Sequence, residues 1–201
     1  MKRQRKNKRR IILGITGSFG SGKSTVARLL KAGSCSLIDA DRIAHQVLRQ
    51  RDVHKKIVSI FGQAVLGKGS LDRRRLGSLV FSSKRILKKL QEIVHPRVIG
   101  IIRDKIETSP KNIILDAPLL IEAGLGDLAD KILVVKISRA KQVKRLLSKT
   151  TLSRADILRR IRAQFPLSMK VRMADFIIDN NGSLAKTKEQ LVKIRRLLWK
   201  N

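Results

Sequence analysis

One cysteine, no tyrosine, four prolines and 15 acidic residues are all that the 201 positions hold of those types. A lone thiol at Cys35 excludes an internal disulfide and a thiolate zinc site, and it suits a reducing compartment, so a cytoplasmic location is expected. The three histidines, His45, His54 and His95, are too scattered for metal-ligand spacing. Aromatics make up 3% of the chain, too few platforms for base stacking, which argues against a single-strand nucleic-acid binder. No apolar run approaches the roughly 18 residues of a membrane span, and no membrane partner is expected. With 42% hydrophobic residues the chain is too apolar for a disordered one. Its length suits one domain with a sizeable core, read as a monomer.

What is abundant is positive charge. Lys and Arg number 46, giving a formal net charge of +31. Seven of the first ten residues are basic and none is acidic, so residues 1–10 read as a disordered basic arm before a single domain over residues 11–201. Such a balance attracts polyanions or phosphorylated small molecules, or simply fills a solvated face. Charge alone decides nothing.

Five short, nearly continuous apolar runs follow the arm: Ile11–Thr16, Leu37–Asp39, Asn112–Asp116, Ile132–Ile137 and Phe176–Asp179. Runs of this kind fit strands buried on both faces of a parallel sheet. Helical patterns separate them. Ile86, Leu87, Leu90, Ile93 and Val94 form an amphipathic stripe. Ser153 with Asp156 reads as a capping box for a helix reaching Gln164. Leu191, Ile194 and Leu198 mark a closing helix. The alternation predicts an α/β, three-layer fold with a five-stranded parallel sheet and ligands at the carboxyl ends of its strands. Two stretches exceed simple crossovers. Residues 42–110 are expected to hold a small helical substrate subdomain, and the Arg-rich residues 139–170 a lid.

The first strand runs into Gly17-Ser18-Phe19-Gly20-Ser21-Gly22-Lys23-Ser24-Thr25, which satisfies G-x-x-x-x-G-K-[ST] between a strand and a helix. Glycines let the backbone turn tightly and aim its N–H groups inward as an anion nest. In this loop Gly20, Ser21, Gly22, Lys23, Ser24 and Thr25 are expected to hold ATP. Lys23 reaches the β/γ-phosphates, the Ser24 hydroxyl holds Mg²⁺, and the helix from Ser24 adds its dipole. A guanine-reading N-K-x-D is absent, and ring ATPases are longer. A basic insertion after the fourth strand suits a lid placing Arg on a transferring phosphate. A small-molecule kinase is the class these features favour.

The second strand ends in Asp39-Ala40-Asp41-Arg42. One carboxylate could accept an acceptor hydroxyl's proton while the other orients water around Mg²⁺, or an Asp here simply caps the helix that follows. Asp116 ends the third strand as a metal-linked carboxylate would, or caps a turn before Pro118.

Together these segments resemble the dephospho-coenzyme A kinase family. The resemblance rests on Thr16–Thr25, Asp39–Val47 (DADRIAHQV), Leu71–Phe81 and Ile93–Val98 (IVHPRV), then Asp116–Glu122 (DAPLLIE), Val143–Leu147, Arg160–Gln164 and Ala174–Gly182, in the family's order. It implies ATP-dependent phosphorylation of the ribose 3′-hydroxyl of dephospho-coenzyme A, with ATP and dephospho-coenzyme A as partners and no specific nucleic acid. By the same resemblance Asp41 is the base, Lys23 and Ser24 are triphosphate and Mg²⁺ ligands, and Arg145 is a catalytic, ATP-binding cation leading into the lid. Arg160 and Gln164 match the lid, His95 the acceptor subdomain, and Asn180 the loop beside the adenine. His95 before Pro96 also reads as the start of a helix. The chain departs from the family at Ser18-Phe19, where Gly-Ile is usual, and at Lys149-Thr150-Thr151, where an Arg-led turn is usual and Lys is no substitute. Another P-loop small-molecule kinase, of the nucleoside monophosphate or shikimate type, is the nearest rival reading, and a nucleic-acid-associated P-loop protein a more distant one.

Overall fold

The computed structural model of the chain describes residues 10–31, 35–67 and 69–199. All but the last residue of the expected arm lie outside these. Arg10 itself is anchored: its Nη1 donates to the carbonyls of Ile106 and Ser109 at 2.6 and 2.5 Å. Those carbonyls lie at the end of a long helix, where a cation meets the negative pole.

Strand pairing follows the apolar runs. β2 (Cys35–Asp39), β5 (Asn112–Asp116), β1 (Ile12–Gly17), β6 (Lys131–Lys136) and β7 (Phe176–Asp179) lie in that order across one sheet, every neighbouring pair parallel. Several ends move by one or two residues from the apolar limits, because ladder pairing sets them. Cys35, for instance, joins β2 by pairing with Asn112. The register brings Asp39 and Ile15 level with Asp116, so the ends of three strands converge on one edge.

Both faces are covered, which is why the runs are apolar throughout. On one face Leu13, Ile15, Ile114 and Leu133 pack with α1 (Lys23–Leu30) and α9 (Leu184–Leu198). On the other, Ile113 and Leu115 pack with α2 (Ala40–Val47) and α5 (Lys84–Glu107), which carry α3 (Arg51–Phe61) and α4 (Arg73–Val80) outward. This outer group is mostly helical, but it also holds a small antiparallel hairpin, β3 (Leu66–Gly67) with β4 (Ser70–Leu71), that no sequence signal announces.

α5 carries Pro96 in its interior, so His95-Pro96 does not begin a helix. A proline there removes one backbone bond and crowds the carbonyl four residues back. The buried stripe Val94, Val98, Ile102 and Ile106, one residue per turn, holds the helix through it. Packing outweighs the local preference. After β6 come α6 (Arg139–Lys149), α7 (Arg154–Arg162) and α8 (Leu167–Arg172). α7 starts as its sequence demands: Ser153 Oγ accepts from Asp156 N–H and donates to Asp156 Oδ2. It ends two residues short of Gln164, which turns away toward the phosphate loop.

Candidate active site

Between β1 and α1 the loop bends through two left-handed residues, Gly20 at φ 75° and Gly22 at φ 91°. Only glycine adopts this without strain, and at Gly22 there is also no room. A Cβ there would lie 2.3 Å from Asn180 Nδ2 and 3.2 Å from Arg145 Nη1. The bare backbone therefore meets Arg145 and Asn180, residues far from it in the sequence. Ser21 Oγ is buried inside the loop without a hydrogen-bond partner among the described residues. α1 begins at Lys23, one residue earlier than expected, with Ser24 and Thr25 exposed in its first turn. Lys23 is buried and pairs through Nζ with Asp116 Oδ1, whose side chain is 2% exposed. Neither reading offered for Asp116, a metal-linked carboxylate or a turn cap, named this partner; the fold pairs it with the loop lysine.

The paired carboxylates after β2 divide their work. Asp39 Oδ1 accepts from Arg42 N–H at 3.0 Å and caps α2. Asp41, in the first turn, keeps its carboxylate toward the cavity. By accessible surface the residue is exposed on the cavity lining, yet the protein mass around it raises its pKa above the ordinary aspartate range. Burial is the main cause; Lys23 pulls the other way, and Asp39 and Asp116 add a smaller push upward. One turn on, His45 lies 2.6 Å by Nε2 from Arg73 Nη2, at the start of α4. Burial and then the Arg73 charge lower its pKa, which keeps the ring neutral and its Nε2 free to accept from the guanidinium. Neither His45 nor Arg73 stood out in the sequence as a site residue. The four-residue step from Asp41, within the DADRIAHQV segment, was the signal available for His45.

His95 is half-buried on α5, its pKa lowered by burial, and it faces the same cavity. Asn180 does more bracing than its placement beside an adenine suggests. Its Nδ2 donates to the Ser21 carbonyl at 2.7 Å and its Oδ1 accepts from Thr187, so both ends of the amide are engaged within the protein. Gln142 on α6 and Gln164 just after α7 grip the loop from one side. Gln164 Oε1 accepts from Phe19 N–H at 2.7 Å, and Gln142 Nε2 donates to the Phe19 carbonyl at 2.5 Å.

One more pair went unseen in the sequence. Lys170 is fully buried and donates to Glu122 Oε1 at 2.7 Å and to the Pro118 carbonyl at 2.8 Å. Glu122 also accepts from Phe165 N–H, which pins the segment between α7 and α8 to the loop after β5. Lys170 sits among Met169, Val171 and Arg172, with nothing local to mark it as a buried cation.

The loop, Asp41, His45, Arg73, His95 and Gln164 line one cavity of about 710 Å³, and the other groups brace it from behind. The phosphate loop, Asp41 and Arg145 form one part of its lining, and Leu87, Leu90, Val94 and Val98 of α5 give an apolar wall. The amphipathic stripe of α5 thus faces a ligand space as well as the core. Hard oxygen donors, the Ser24 hydroxyl and the carboxylates of Asp41 and Asp116, stand near the loop. No group of three or more His, Cys, Asp or Glu side chains among the described residues could cage an ion. That donor set fits Mg²⁺ held jointly with phosphate oxygens and water, and it would not suit a softer metal.

The family model described as dephospho-CoA kinase matches residues 11–186. A protein of Carboxydothermus hydrogenoformans named dephospho-CoA kinase is 42% identical over 197 residues, covering 94% of this chain and 96% of that one. The crystal structure of TT1252 from Thermus thermophilus superposes with a TM-score of 0.81 at 34% identity, over 96% of this chain and all of that one. A shikimate kinase of Bacteroides thetaiotaomicron shares the fold alone, with a TM-score of 0.54 at 12% identity over 94% of this chain and 98% of that one.

Proposed function

The chain belongs to the dephospho-CoA kinase family and converts dephospho-coenzyme A to coenzyme A with ATP, and from that premise we propose which residues carry the transfer. The observation behind the assignment is that Lys23 and Asp41, charges of opposite sign from two different βα junctions, line the same cavity and feel one another.

The nest from Gly20 to Thr25 binds the triphosphate of ATP through backbone N–H groups, with the N-terminus of α1 behind it. Lys23 carries charge to the transferring group and Arg145 approaches from α6 above Gly22. Asn180 binds ATP indirectly, by fixing the carbonyl of Ser21. Dephospho-coenzyme A lies along the α5 wall near His95 with its 3′-hydroxyl at Asp41. The Asp41 carboxylate takes the hydroxyl proton as the oxygen bonds to the γ-phosphorus. The bond from that phosphorus to the β,γ-bridging oxygen breaks, and ADP leaves with that electron pair. A carboxylate with a raised pKa is the stronger base for this task. Ser24 would hold Mg²⁺, which when bound neutralises charge on the β- and γ-phosphates.

Residues 42–110 form the acceptor-binding insertion and residues 139–170 the lid in this reading. We take the enzyme to be a cytoplasmic monomer. Among the described residues no helix is long and apolar enough to cross a membrane. ATP consumption measured in a coupled assay tests the assignment. It is expected to depend on dephospho-coenzyme A and to be unmoved by shikimate or nucleoside monophosphates; turnover with one of the latter alone would overturn it.

A further inference from the structure

One buried ion pair has no part in the transfer described above. Lys170, on α8, is fully buried, and the side chain of its partner Glu122 is 9% exposed. Two charges taken out of water add little to stability, and apolar side chains of similar volume often serve as well or better. The bonding is also lopsided. Glu122 Oε1 accepts from both Lys170 Nζ and Phe165 N–H, while its Oε2 is buried without a hydrogen-bond partner among the described residues. Burial pushes the Lys170 pKa down and Glu122 holds it up, and the Lys23 ammonium adds a smaller downward push. The pair therefore lies within electrostatic reach of the phosphate loop.

The contacts of this pair lead to the loop by two routes. Lys170 Nζ donates to the Pro118 carbonyl at 2.8 Å, and Thr16 Oγ1, buried near the end of β1, donates to the same oxygen at 3.1 Å. Pro118 lies two residues past Asp116, the buried partner of Lys23. Between them Ala117 N–H donates to the Ile15 carbonyl at 3.0 Å, so the end of β5 is tied to β1 on both sides of the turn. The second route starts at Glu122, which holds Phe165 N–H at 2.9 Å. Gln164, next in the chain, accepts from Phe19 N–H in the phosphate loop. Two supports of the loop, one through Asp116 and one through Gln164, thus return to one carboxylate and one ammonium.

We propose that Lys170 and Glu122 are positioning residues for phosphoryl transfer. Through the Pro118 carbonyl they set where Asp116 holds Lys23, and through Phe165 they set where Gln164 holds the phosphate loop. The inference rests on the cavity being the transfer site. Neither side chain lines that cavity, so both act through other residues and not on a substrate. Reacting groups tolerate little displacement: a shift of about 1 Å can cost on the order of 10²-fold in rate.

Steady-state kinetics and urea unfolding of the full chain test this together. Lys170→Met takes one donor from Pro118 and strands the Glu122 charge, so stability falls. Its kcat is expected to drop about tenfold or more, with the KM for dephospho-coenzyme A within about twofold. Adding Glu122→Gln removes the stranded charge and is expected to restore most of the stability. In that double variant kcat is expected to stay about tenfold low, because the Pro118 carbonyl still lacks its second donor. A purely structural pair predicts the reverse, with turnover recovering alongside stability. Thr16→Val takes the other donor from the same carbonyl and strands no charge. It is expected to lower kcat by roughly threefold or more while the protein stays folded. A stable double variant with the kcat of the unvaried chain would overturn the proposal. Should the Lys170 variants not fold, Thr16→Val decides, and an unchanged kcat there overturns it equally. An unvaried chain inactive toward dephospho-coenzyme A would instead sink the premise.

Discussion

At the residue scale, the surrounding protein acts in opposite ways on an exposed carboxylate, Asp41, and a buried ammonium, Lys23. Asp41 is crowded by protein, so its proton is held more tightly than in the unfolded chain. In the proposed transfer the carboxylate form is the base, so activity is expected to fall as pH drops through this raised pKa. The acid limb of kcat is expected above the ordinary aspartate value of about 3.9. Asp41→Asn is expected to cut turnover roughly 10²–10⁴-fold while ATP binding persists, and to abolish that limb. The same linkage fixes the sign for stability. A raised folded-state pKa means the stabilising form is the protonated one, present at low pH and lost as pH rises. The neutral asparagine should therefore leave the midpoint of thermal unfolding at neutral pH equal or higher. Lys23 differs. It is paired with a buried carboxylate, so Lys23→Ala strands Asp116 and is expected to cost about 3–5 kcal/mol of stability as well as most of the turnover. Urea unfolding alongside kinetics checks both. A stable Lys23→Ala protein with near-normal turnover would refute the role of the phosphate loop.

At the scale of elements, the helices of the proposed lid are basic and weakly tied. α7 holds Arg154, Arg159, Arg160 and Arg162, and its packing is a small cluster of Val143, Leu146, Ile157 and Ile161 with α6. Like charges so close favour opening until phosphates neutralise them. Its fixed points are the Gln164 bond to the loop and the Phe165 bond to Glu122. Hydrogen exchange across residues 145–165 is expected to slow on adding a non-hydrolysable ATP analogue with Mg²⁺. Equal exchange with and without it would make the segment a static basic face. How much of an element could be read ahead depended on its period. The strands and the capping box at Ser153 were legible because apolar runs and a three-residue step are local signals. The unbroken α5 was not. Pro96 argues locally for a boundary, and only the stripe packed beneath it carries the helix on.

For the whole molecule, the +31 charge is distributed well beyond the basic N-terminus. The fold is anchored from Arg10 onward, since Arg10 closes the end of α5. A chain starting at Arg10 is therefore expected to keep its stability, its KM for ATP and its turnover within about twofold. Its non-specific affinity for polyanions should fall, with the salt dependence flattened by about 0.7–0.9 for each phosphate no longer neutralised. Binding to a nucleic-acid oligonucleotide across a salt titration measures the second effect, and the coupled assay the first. Turnover that collapses at saturating ATP would show that the removed residues reach the active site.

The sequence by itself determined the sheet, the phosphate loop and the carboxylate pair, because each is written within a few neighbouring residues. It also carried the family, through short segments in a fixed order. Tertiary structure alone decided which carboxylate caps and which faces the cavity, since Asp39 and Asp41 differ only in where α2 turns them. It alone brought Arg145 and Asn180 onto Gly22, joined Lys23 to Asp116, and buried Lys170 against Glu122. The bonds that fix these groups reach across 52 residues from Lys170 to Pro118 and across 159 from Asn180 to Ser21. No local period encodes such a separation; closing the parallel sheet and packing helices on both faces creates it.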